Sequence, residues 1–309
     1  MDIKRVIVVY KKSSYELYAL EKKDPHFLNL LEQKHPSVAQ FIPSHEAHYK
    51  SIEQARQVLS QLNIQSKFIH RAKKFNEAWA DLILTIGGDG TFLDAARHTI
   101  KKPMLGVNSD PKRSVGMYCA IDVKRLKKTL KGIMQKSIPQ YHISRLQMCL
   151  NNDNYMPPVL NDCLITSLNP AETSRFDLEF GKKKYSYKSS GLWVSSAAGS
   201  TGAMRSTGGE VLPLEDEKFM FYVRENYHAP LEKRKPSRAV LGKKESLKVI
   251  SKMRQGVIFF DGAHIKIPFK NGHELTIQMH PKKLKVFAYD SDRRHQFDLE
   301  TSLKRRAND

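Results

Sequence analysis

The chain has 309 residues, which is enough for two domains that each bury a hydrophobic core. Its 52 Lys and Arg residues outnumber 32 Asp and Glu residues, and the formal net charge of +20 predicts anionic partners. Three cysteines without a C-x-x-C pair argue against a disulfide framework or a structural zinc site. We therefore expect buried or half-buried thiols in a reducing compartment. We also expect a cytoplasmic protein with no membrane partner, because no segment resembles a signal peptide or a membrane span.

The first part of the chain alternates apolar strands with amphipathic helices. Strands are predicted at residues 6–10, 81–86 and 104–108, and helices at residues 51–63, 91–100 and 122–135. Residues 22–45 contain three prolines and are predicted to form a loop with a short helix. The alternation predicts an α/β domain with a parallel sheet over residues 1–137.

The second part of the chain has a different pattern. Short runs rich in Val, Ile, Phe, Tyr and Thr alternate with Gly, Asn, Asp and Pro over residues 138–289, which predicts a mainly antiparallel β domain. Residues 290–309 return to helical spacing. A lone helix cannot bury its apolar stripe, so we expect this C-terminal helix to dock back on the first domain. The fold class is therefore α/β followed by β.

A glycine-rich stretch, GGDGT at residues 87–91, follows the strand predicted at residues 81–86. A strand that leads through glycines into a helix directs backbone N–H groups and the positive end of the helix dipole at one point, where phosphate binds. A tight turn with a helix cap is the alternative. A carboxylate repels phosphate unless it holds a bridging Mg²⁺ or accepts a proton from an attacking hydroxyl. Asp89 is therefore the candidate general base or metal-linked acid of a phosphoryl transfer.

GGDGT resembles the fingerprint of the ATP-dependent NAD kinase family, which diacylglycerol and sphingosine kinases share. The later segment GVNSDPKRS, from residue 106, resembles the Gly-x-Asn segment of NAD kinases, in the variant of the mitochondrial type. A plain turn is the alternative for this segment. The resemblance implies that the ATP phosphates are bound by Gly87, Gly88, Gly90, Thr91 and Asn108.

Two polar residues, Asn161 and Asp162, interrupt the apolar run VLNDCLI. Neighbouring strand residues point to opposite faces, so at least one of them needs a partner. An edge strand or bulge is one interpretation, and recognition of a nucleoside is the other, because a carboxylate accepts from ribose hydroxyls and an amide both donates and accepts. In NAD kinases the matching pair is Asn followed by Glu and binds the NAD nucleoside.

Residues 189–213 hold five of the chain's 16 glycines together with many hydroxyl side chains. This composition suits a backbone cradle for a ligand, with a flexible linker or lid as the alternative. The segment resembles the NAD kinase pattern Thr-Gly-Ser-Thr-Ala-Tyr, which implies NAD contacts from Ser200, Thr201 and Gly202. Ser190 and Ala203 depart from the family's usual Asp and Tyr. A later Asp261-Gly262 pair is interpreted as a β-hairpin turn.

The resemblance implies an enzyme that transfers the γ-phosphate of ATP to the 2′-hydroxyl of the NAD adenosine ribose, with Mg²⁺ as cofactor. It also implies a homodimer or homotetramer. A lipid kinase and a non-catalytic nucleotide sensor are the alternatives, while nucleic-acid binding lacks any recognisable module. The sequence leaves open whether NAD or NADH is the acceptor. Asp89 is the candidate metal ligand, and Asp94 either adds a second carboxylate near the loop or only complements the helix N-terminus.

Overall fold

The computed structural model describes residues 1–152, 154–227, 234–292 and 294–296. The chain divides into a first unit, Met1–Tyr141 with Lys285–Asp290, and a second unit, His142–Leu284 with the described residues among 291–296. The predicted boundary lies after residue 137, whereas the chain leaves the first unit at Tyr141. An α/β unit followed by a β unit confirms the predicted fold class.

The helices and strands of the described residues are numbered in chain order. The α-helices are α1 (Pro25–Glu32), α2 (Phe41–Gln61), α3 (Asp89–Ala96), α4 (Val123–Met134) and α5 (Ala203–Ser206). The strands are β1 (Arg5–Tyr10), β2 (Gln65–His70), β3 (Leu82–Gly87), β4 (Met104–Asn108), β5 (Ile121–Asp122), β6 (Gln140–Ile143), β7 (Leu146–Leu150), β8 (Asn154–Tyr155), β9 (Asp162–Ser167), β10 (Ser174–Phe180), β11 (Lys183–Ser189), β12 (Gly191–Ser196), β13 (Phe219–Arg224), β14 (Arg238–Leu241), β15 (Ser246–Ser251), β16 (Gly256–Phe260), β17 (Lys266–Pro268), β18 (Glu274–Met279) and β19 (Leu284–Phe287).

A seven-stranded sheet forms the centre of the first unit, with strand order β2-β1-β3-β4-β19-β6 and β5 paired to β4. The pairs β1–β2, β1–β3, β3–β4 and β4–β19 are parallel. All six residues of β3 are buried, as expected of a parallel strand that is covered on both faces. Helices α2 and α4 contribute Leu59 and Leu130 to the core on this sheet. Asp122 caps α4 by accepting from the Arg125 N–H at 3.1 Å.

The prediction of a loop with one short helix for residues 22–45 is wrong, because most of this segment is helical. A π-helical turn (Glu16–Glu21), α1, a short 3₁₀ helix (Pro36–Val38) and the start of α2 follow one another. Pro25 and Pro36 occupy first helical positions, and Pro43 lies in the first turn of α2. A proline in a first turn removes no helical hydrogen bond, so these prolines start helices instead of breaking them.

The second unit is built from two six-stranded sheets. Their strand orders are β11-β10-β15-β18-β7-β8 and β14-β13-β12-β9-β16-β17, and neighbouring strands within both sheets pair in the antiparallel sense. Side chains of both sheets share one apolar core that includes Phe176 and Phe221. Strand β14 carries the exposed Val240.

The chain returns to the first unit through a strand. Val286 and Phe287 of β19 pair in parallel with Met104 and Leu105 of β4, whereas these two residues are predicted to belong to the β domain. A short apolar run indicates a strand but not the sheet that it joins, because that choice depends on long-range pairing. The helix predicted within residues 290–309 lies largely outside the described residues.

Two further expectations can be compared with the described residues. The three cysteines, Cys119, Cys149 and Cys163, are buried and free, which confirms the prediction of buried thiols. None of the helices in the described parts of the chain combines the length and the apolar character needed to cross a membrane.

The substitution Leu84→Ala should destabilise the protein by about 2–5 kcal/mol, because Leu84 is fully buried in β3 and its removal leaves a cavity. Equilibrium urea unfolding followed by circular dichroism measures the effect. Val240→Ala is the matched control at an exposed strand position. An equal loss in both variants would contradict the assignment of Leu84 to the core.

Candidate active site

The glycine loop connects β3 to α3 and is shaped by close packing. Gly88 is the N-cap of α3, and the Thr91 N–H donates to its carbonyl oxygen at 2.9 Å. A Cβ on Gly87 would lie 2.3 Å from the Thr91 hydroxyl oxygen, and a Cβ on Gly88 would lie 2.9 Å from the Ser114 hydroxyl oxygen. Side chains at these two positions would therefore push neighbouring groups out of the loop.

Asp89, the first residue of α3, links the glycine loop to the chain that follows β4. Its two carboxylate oxygens accept from the N–H groups of Met117 and Tyr118, each at 2.8 Å. Hydrogen bonds from N–H groups and the helix N-terminus both stabilise an ionised carboxylate. The Tyr118 ring stacks on Phe92 with a centroid distance of 5.0 Å, which holds the two segments together. Asp89 therefore has a structural task besides its predicted role.

Asn108 lies at the end of β4 and braces the loop that follows. Its side-chain amide donates to the Ser114 carbonyl at 3.1 Å, and its side-chain oxygen accepts from the Asp110 N–H at 3.0 Å. Gly116 has a φ of +66° and closes this loop against the Asn108 side chain. Asn108 is 4% exposed, so it shapes the loop from within.

His48 of α2 connects the loop after β1 to the loop after β4. Its Nε2 lies 2.7 Å from the Lys11 carbonyl oxygen and its Nδ1 lies 2.8 Å from the Ser109 hydroxyl. A carbonyl only accepts, so Nε2 donates and Ser109 donates to Nδ1. Burial lowers the pKa of His48 to about 4, and the ring is neutral at physiological pH. Sequence reasoning misses His48 because one histidine in a helix carries no distinguishing pattern.

A pocket of 350 Å³ lies within the first unit beside Gly88. Lys11 and Arg113 supply positive charge to its wall, Asp110 supplies one carboxylate, and several serines line it together with Gln40, Phe41 and His48. The Arg113 guanidinium donates to both Asp110 oxygens at 2.9 and 3.1 Å. Burial, followed by the nearby charge of Arg71, lowers the pKa of Lys11. Cations and hydroxyl donors around a glycine-lined opening can bind phosphate groups.

No group of three or more His, Cys, Asp or Glu residues that could hold a metal occurs in the described parts of the chain. Asp89 is the carboxylate on the glycine loop. Mg²⁺ is commonly held by one or two carboxylates together with substrate phosphates and water, so such a cluster is not required. The residues present therefore fit a Mg²⁺ ion that arrives with a polyphosphate.

In the second unit, the predicted nucleoside pair is surrounded by the cradle segment. Asp162 begins β9 and pairs with Ser195 of β12, and the Asn161 carbonyl accepts from the Ser196 N–H at 2.9 Å. A Cβ on Gly199 would lie 2.3 Å from that carbonyl oxygen. A Cβ on Gly202 would lie 3.9 Å from an Asp162 carboxylate oxygen. The structure thus brings Asn161, Asp162 and Gly202 together.

Asp261 fixes the backbone of this pair. Its carboxylate accepts from the N–H groups of Leu160 at 3.0 Å and Asn161 at 2.7 Å, and its own N–H donates to the Asp162 carbonyl at 2.9 Å. Asp261 has a φ of +48° in the turn between β16 and β17. The prediction of a hairpin turn is confirmed, and Asp261 in this turn also holds the backbone of Asn161 and Asp162 in place. The pairing of β16 with β9 that brings them together is not visible in the sequence.

The carboxyl group of Asp162 has an unusual pKa. Burial and the neighbouring Asp261 raise the pKa of Asp162 to about 7. Burial disfavours the ionised form of the carboxyl group, and Asp261 disfavours a second negative charge beside its own. Asp162 can therefore donate a hydrogen bond at slightly acidic pH and only accept hydrogen bonds at alkaline pH.

Ser200 and Thr201, predicted to contact NAD, differ in exposure. The buried Ser200 hydroxyl donates to the Ala197 carbonyl at 2.7 Å and accepts from the Leu212 N–H at 2.9 Å, so it ties the cradle together. Arg294 also donates to this hydroxyl, at 3.1 Å, and to the Ala197 carbonyl, at 2.7 Å. Thr201 is partly exposed at the end of a short 3₁₀ helix. Sequence reasoning misses Arg294, because nothing in the sequence connects it to a segment about 90 residues earlier.

The fold class is an α/β unit followed by a β unit, with the GGDGT loop between β3 and α3. The family described as ATP-NAD kinase N-terminal domain matches residues 7–138. A probable NADH kinase of Oryza sativa subsp. japonica is 30% identical over 281 residues, which cover 83% of this chain and 86% of the relative. The mitochondrial NAD kinase 2 of Homo sapiens is 35% identical over 125 residues, 37% of this chain and 28% of the relative.

A solved structure has the same fold. The NAD kinase from Archaeoglobus fulgidus, determined in complex with ATP, aligns with a TM-score of 0.67 and 19% identity, covering 96% of this chain and 99% of that chain. Together with the sequence relatives, these findings show that the chain belongs to the ATP-NAD kinase family.

The substitution Gly199→Ala should destabilise the second unit by about 1–3 kcal/mol, because the new Cβ would meet the Asn161 carbonyl oxygen at 2.3 Å. Thermal unfolding measures the effect. Gly242→Ala is the matched control, since its Cβ would meet only the end of the Glu245 side chain, at 3.4 Å. Equal melting temperatures for both variants would show that the cradle does not pack on Asn161 as described.

Asp162 should also make stability depend on pH. Its folded pKa of about 7 lies above the ordinary value of 3.8, so the folded state binds more protons between these pH values and stability falls as the pH rises. Relative to Asp162→Asn, the parent should lose on the order of 5 °C in melting temperature between pH 5 and pH 8. Asp122→Asn, which retains a helix cap, should follow the parent. Parallel pH profiles for the parent and Asp162→Asn would contradict the raised pKa.

Proposed function

We propose that the protein is an ATP-dependent NAD kinase, which transfers the γ-phosphate of ATP to the 2′-hydroxyl of the adenosine ribose of NAD and releases NADP. The observation that carries this proposal is the carboxylate of Asp89 at the N-terminus of α3, beside a cationic pocket in the same unit. A phosphate loop with an acid suits a reaction in which a hydroxyl attacks a phosphoryl group.

The donor phosphates are proposed to lie along the glycine loop and in the adjoining pocket. The N–H groups of the loop and of α3 provide donors for phosphate oxygens. Lys11 and Arg113 line the pocket and neutralise phosphate charge. ATP as the donor is supported by the Archaeoglobus fulgidus NAD kinase, which was solved in complex with ATP. Asp89 is proposed either to accept the proton of the attacking hydroxyl or to contact a Mg²⁺ ion that the donor phosphates would hold.

Mg²⁺ is proposed as the cofactor. It would be held by the donor phosphates with Asp89 as the protein carboxylate, and it would supply charge neutralisation of the transferred group. The fit rests on Asp89 lying on the phosphate loop. The chain's own contribution is to orient that carboxylate through the N–H groups of Met117 and Tyr118.

The acceptor nucleoside is proposed to bind at the cradle of the second unit. Asn161 and Asp162 offer an amide and a carboxyl group for the ribose hydroxyls and the base. Thr201 and Gly202 lie at the same end of the segment, with Asp162 near Gly202. Ala203 opens α5 in place of the family's tyrosine and leaves that position with a methyl group. Two relatives, a probable NADH kinase and an NADH kinase, support NADH as a second acceptor.

The alternative functions are less well supported. A lipid kinase would require an apolar groove for its acceptor, whereas the cradle around Asn161 is polar. A non-catalytic sensor would not need the acid that the glycine loop retains at Asp89. NAD and ATP, and not nucleic acid or a membrane, are the proposed partners, and the sign of the net charge fits two phosphate-bearing ligands. A homodimer or homotetramer rests on family resemblance, and a cytoplasmic location rests on the three free thiols.

Purified protein with Mg-ATP and NAD should form NADP, measured with an NADP-specific dehydrogenase, and Asp89→Asn should lower kcat by about 100-fold or more. Asp81→Asn is a matched control, because the Asp81 carboxylate also accepts from two backbone N–H groups, those of Lys4 and Arg5, at 3.0 and 2.9 Å. NADH replaces NAD in a parallel assay. Absence of both NADP and NADPH from the parent's assays would refute the kinase, and equal activity of Asp89→Asn and Asp81→Asn would refute the role of Asp89.

A further inference from the structure

Asp94, a second acidic residue of α3, forms ion pairs with two arginines. It is 9% exposed. Its Oδ1 lies 2.7 Å from an Arg97 nitrogen, and its Oδ2 lies 3.2 Å from the NH1 nitrogen of Arg71. Arg97 belongs to the same segment of chain, three residues further on, whereas Arg71 directly follows β2. Neither arginine belongs to a motif that the sequence reveals.

The two guanidinium groups that Asp94 contacts differ in exposure. The Arg97 side chain is only 4% exposed, while the Arg71 side chain is 26% exposed. The accessible part of the positive charge is therefore that of Arg71. An arginine presents five N–H donors, and the pair with Asp94 engages its NH1 nitrogen.

Arg71 lies at the glycine loop. Its NH1 nitrogen is 3.8 Å from the position that a Cβ on Gly90 would occupy. Gly90 follows Asp89 in the chain. Its backbone N–H donates to the Tyr10 carbonyl at 2.8 Å, which fixes the start of the Arg71 segment against the end of β1. Gly90 is exposed, so a ligand at the loop can reach the guanidinium.

Two further observations concern the charge and polarity of this loop. The Thr91 hydroxyl is buried, with the residue 1% exposed, and has no hydrogen-bond partner in the described residues, which is unfavourable for a buried polar group. The positive charge of Arg71 also contributes, after burial, to lowering the pKa of Lys11. An anion bound near Arg71 would reduce the repulsion between these two cations.

We propose that Arg71 binds a phosphate of the nucleotide donor at the Gly88–Gly90 loop, and that Asp94 is a positioning residue that holds the Arg71 guanidinium in place. The proposal rests on the phosphoryl-transfer function proposed above and adds a specific phosphate ligand to it. A guanidinium that is already held at the loop neutralises phosphate charge and loses little conformational entropy when the nucleotide binds.

Inorganic tripolyphosphate is the probe, and isothermal titration calorimetry of the full chain measures its binding without any acceptor. Arg71→Ala should raise the Kd of tripolyphosphate by about 10- to 100-fold, as expected for the loss of a charge-assisted hydrogen bond. Arg71→Lys keeps a cation and should lose less. Arg56→Ala is the matched control, because its side chain is 54% exposed and pairs only loosely with Glu53, at 3.7 Å. It should change the Kd by less than about twofold.

Asp94→Asn tests the positioning role. With Arg71 still present, the KM for ATP should rise several-fold while kcat falls less, and the stability of the protein measured by thermal unfolding serves as the separate structural readout. An unchanged KM for ATP would overturn the role of Asp94. If Arg71→Ala does not fold, the Kd of tripolyphosphate is compared between Arg71→Lys and Arg56→Lys instead, and this comparison tests the role of Arg71.

Equal tripolyphosphate affinity in Arg71→Ala and Arg56→Ala, or in the corresponding lysine variants, would overturn the role of Arg71. Failure of the proposed function gives a different result. Tripolyphosphate binding that depends on Arg71, in a parent protein that forms no NADP or NADPH, would support Arg71 as a phosphate ligand and refute the kinase.

Discussion

The Asp89 carboxylate is the contact on which the arrangement of the first unit depends. It stands where β3 becomes α3 and accepts from the Met117 and Tyr118 N–H groups, so the glycine loop and the loop after β4 are held to each other. Asn108 and His48 extend this connection to Ser114 and Lys11. An acid inside this glycine loop is thus structurally useful by itself, and the same carboxylate is the one assigned to the proposed chemistry.

The second unit uses the same device at another place. The Asp261 carboxylate accepts from the N–H groups of two successive residues, Leu160 and Asn161, where the nucleoside pair begins. Arg294 acts on the other side, where it donates to carbonyl oxygens of the cradle. In both units, charged side chains hold irregular backbone that no sheet or helix satisfies, and buried backbone groups require such partners.

Some residues can be assigned from the sequence because their signal is local. The glycines of GGDGT, the helix α4 and the buried strand β3 each follow from composition and spacing over a few residues. Residues 22–45 are misjudged because composition alone does not distinguish a proline that begins a helix from a proline that ends one. The sequence shows Asp94 only as a charge near a helix N-terminus, because its partner Arg71 lies 23 residues earlier in the chain and comes close only when β2 is placed beside β1.

By itself, the sequence determined the α/β and β halves, the glycine loop with its acid, and the family resemblance, since periodicity and motif spacing are properties of contiguous residues. Only the tertiary structure decided which sheet β19 joins, which backbone groups Asp89 and Asp261 hold, and why the Asp162 pKa is raised. These features depend on burial and on contacts between residues far apart in the chain, where the free energy of a charge or hydrogen bond is set by its surroundings.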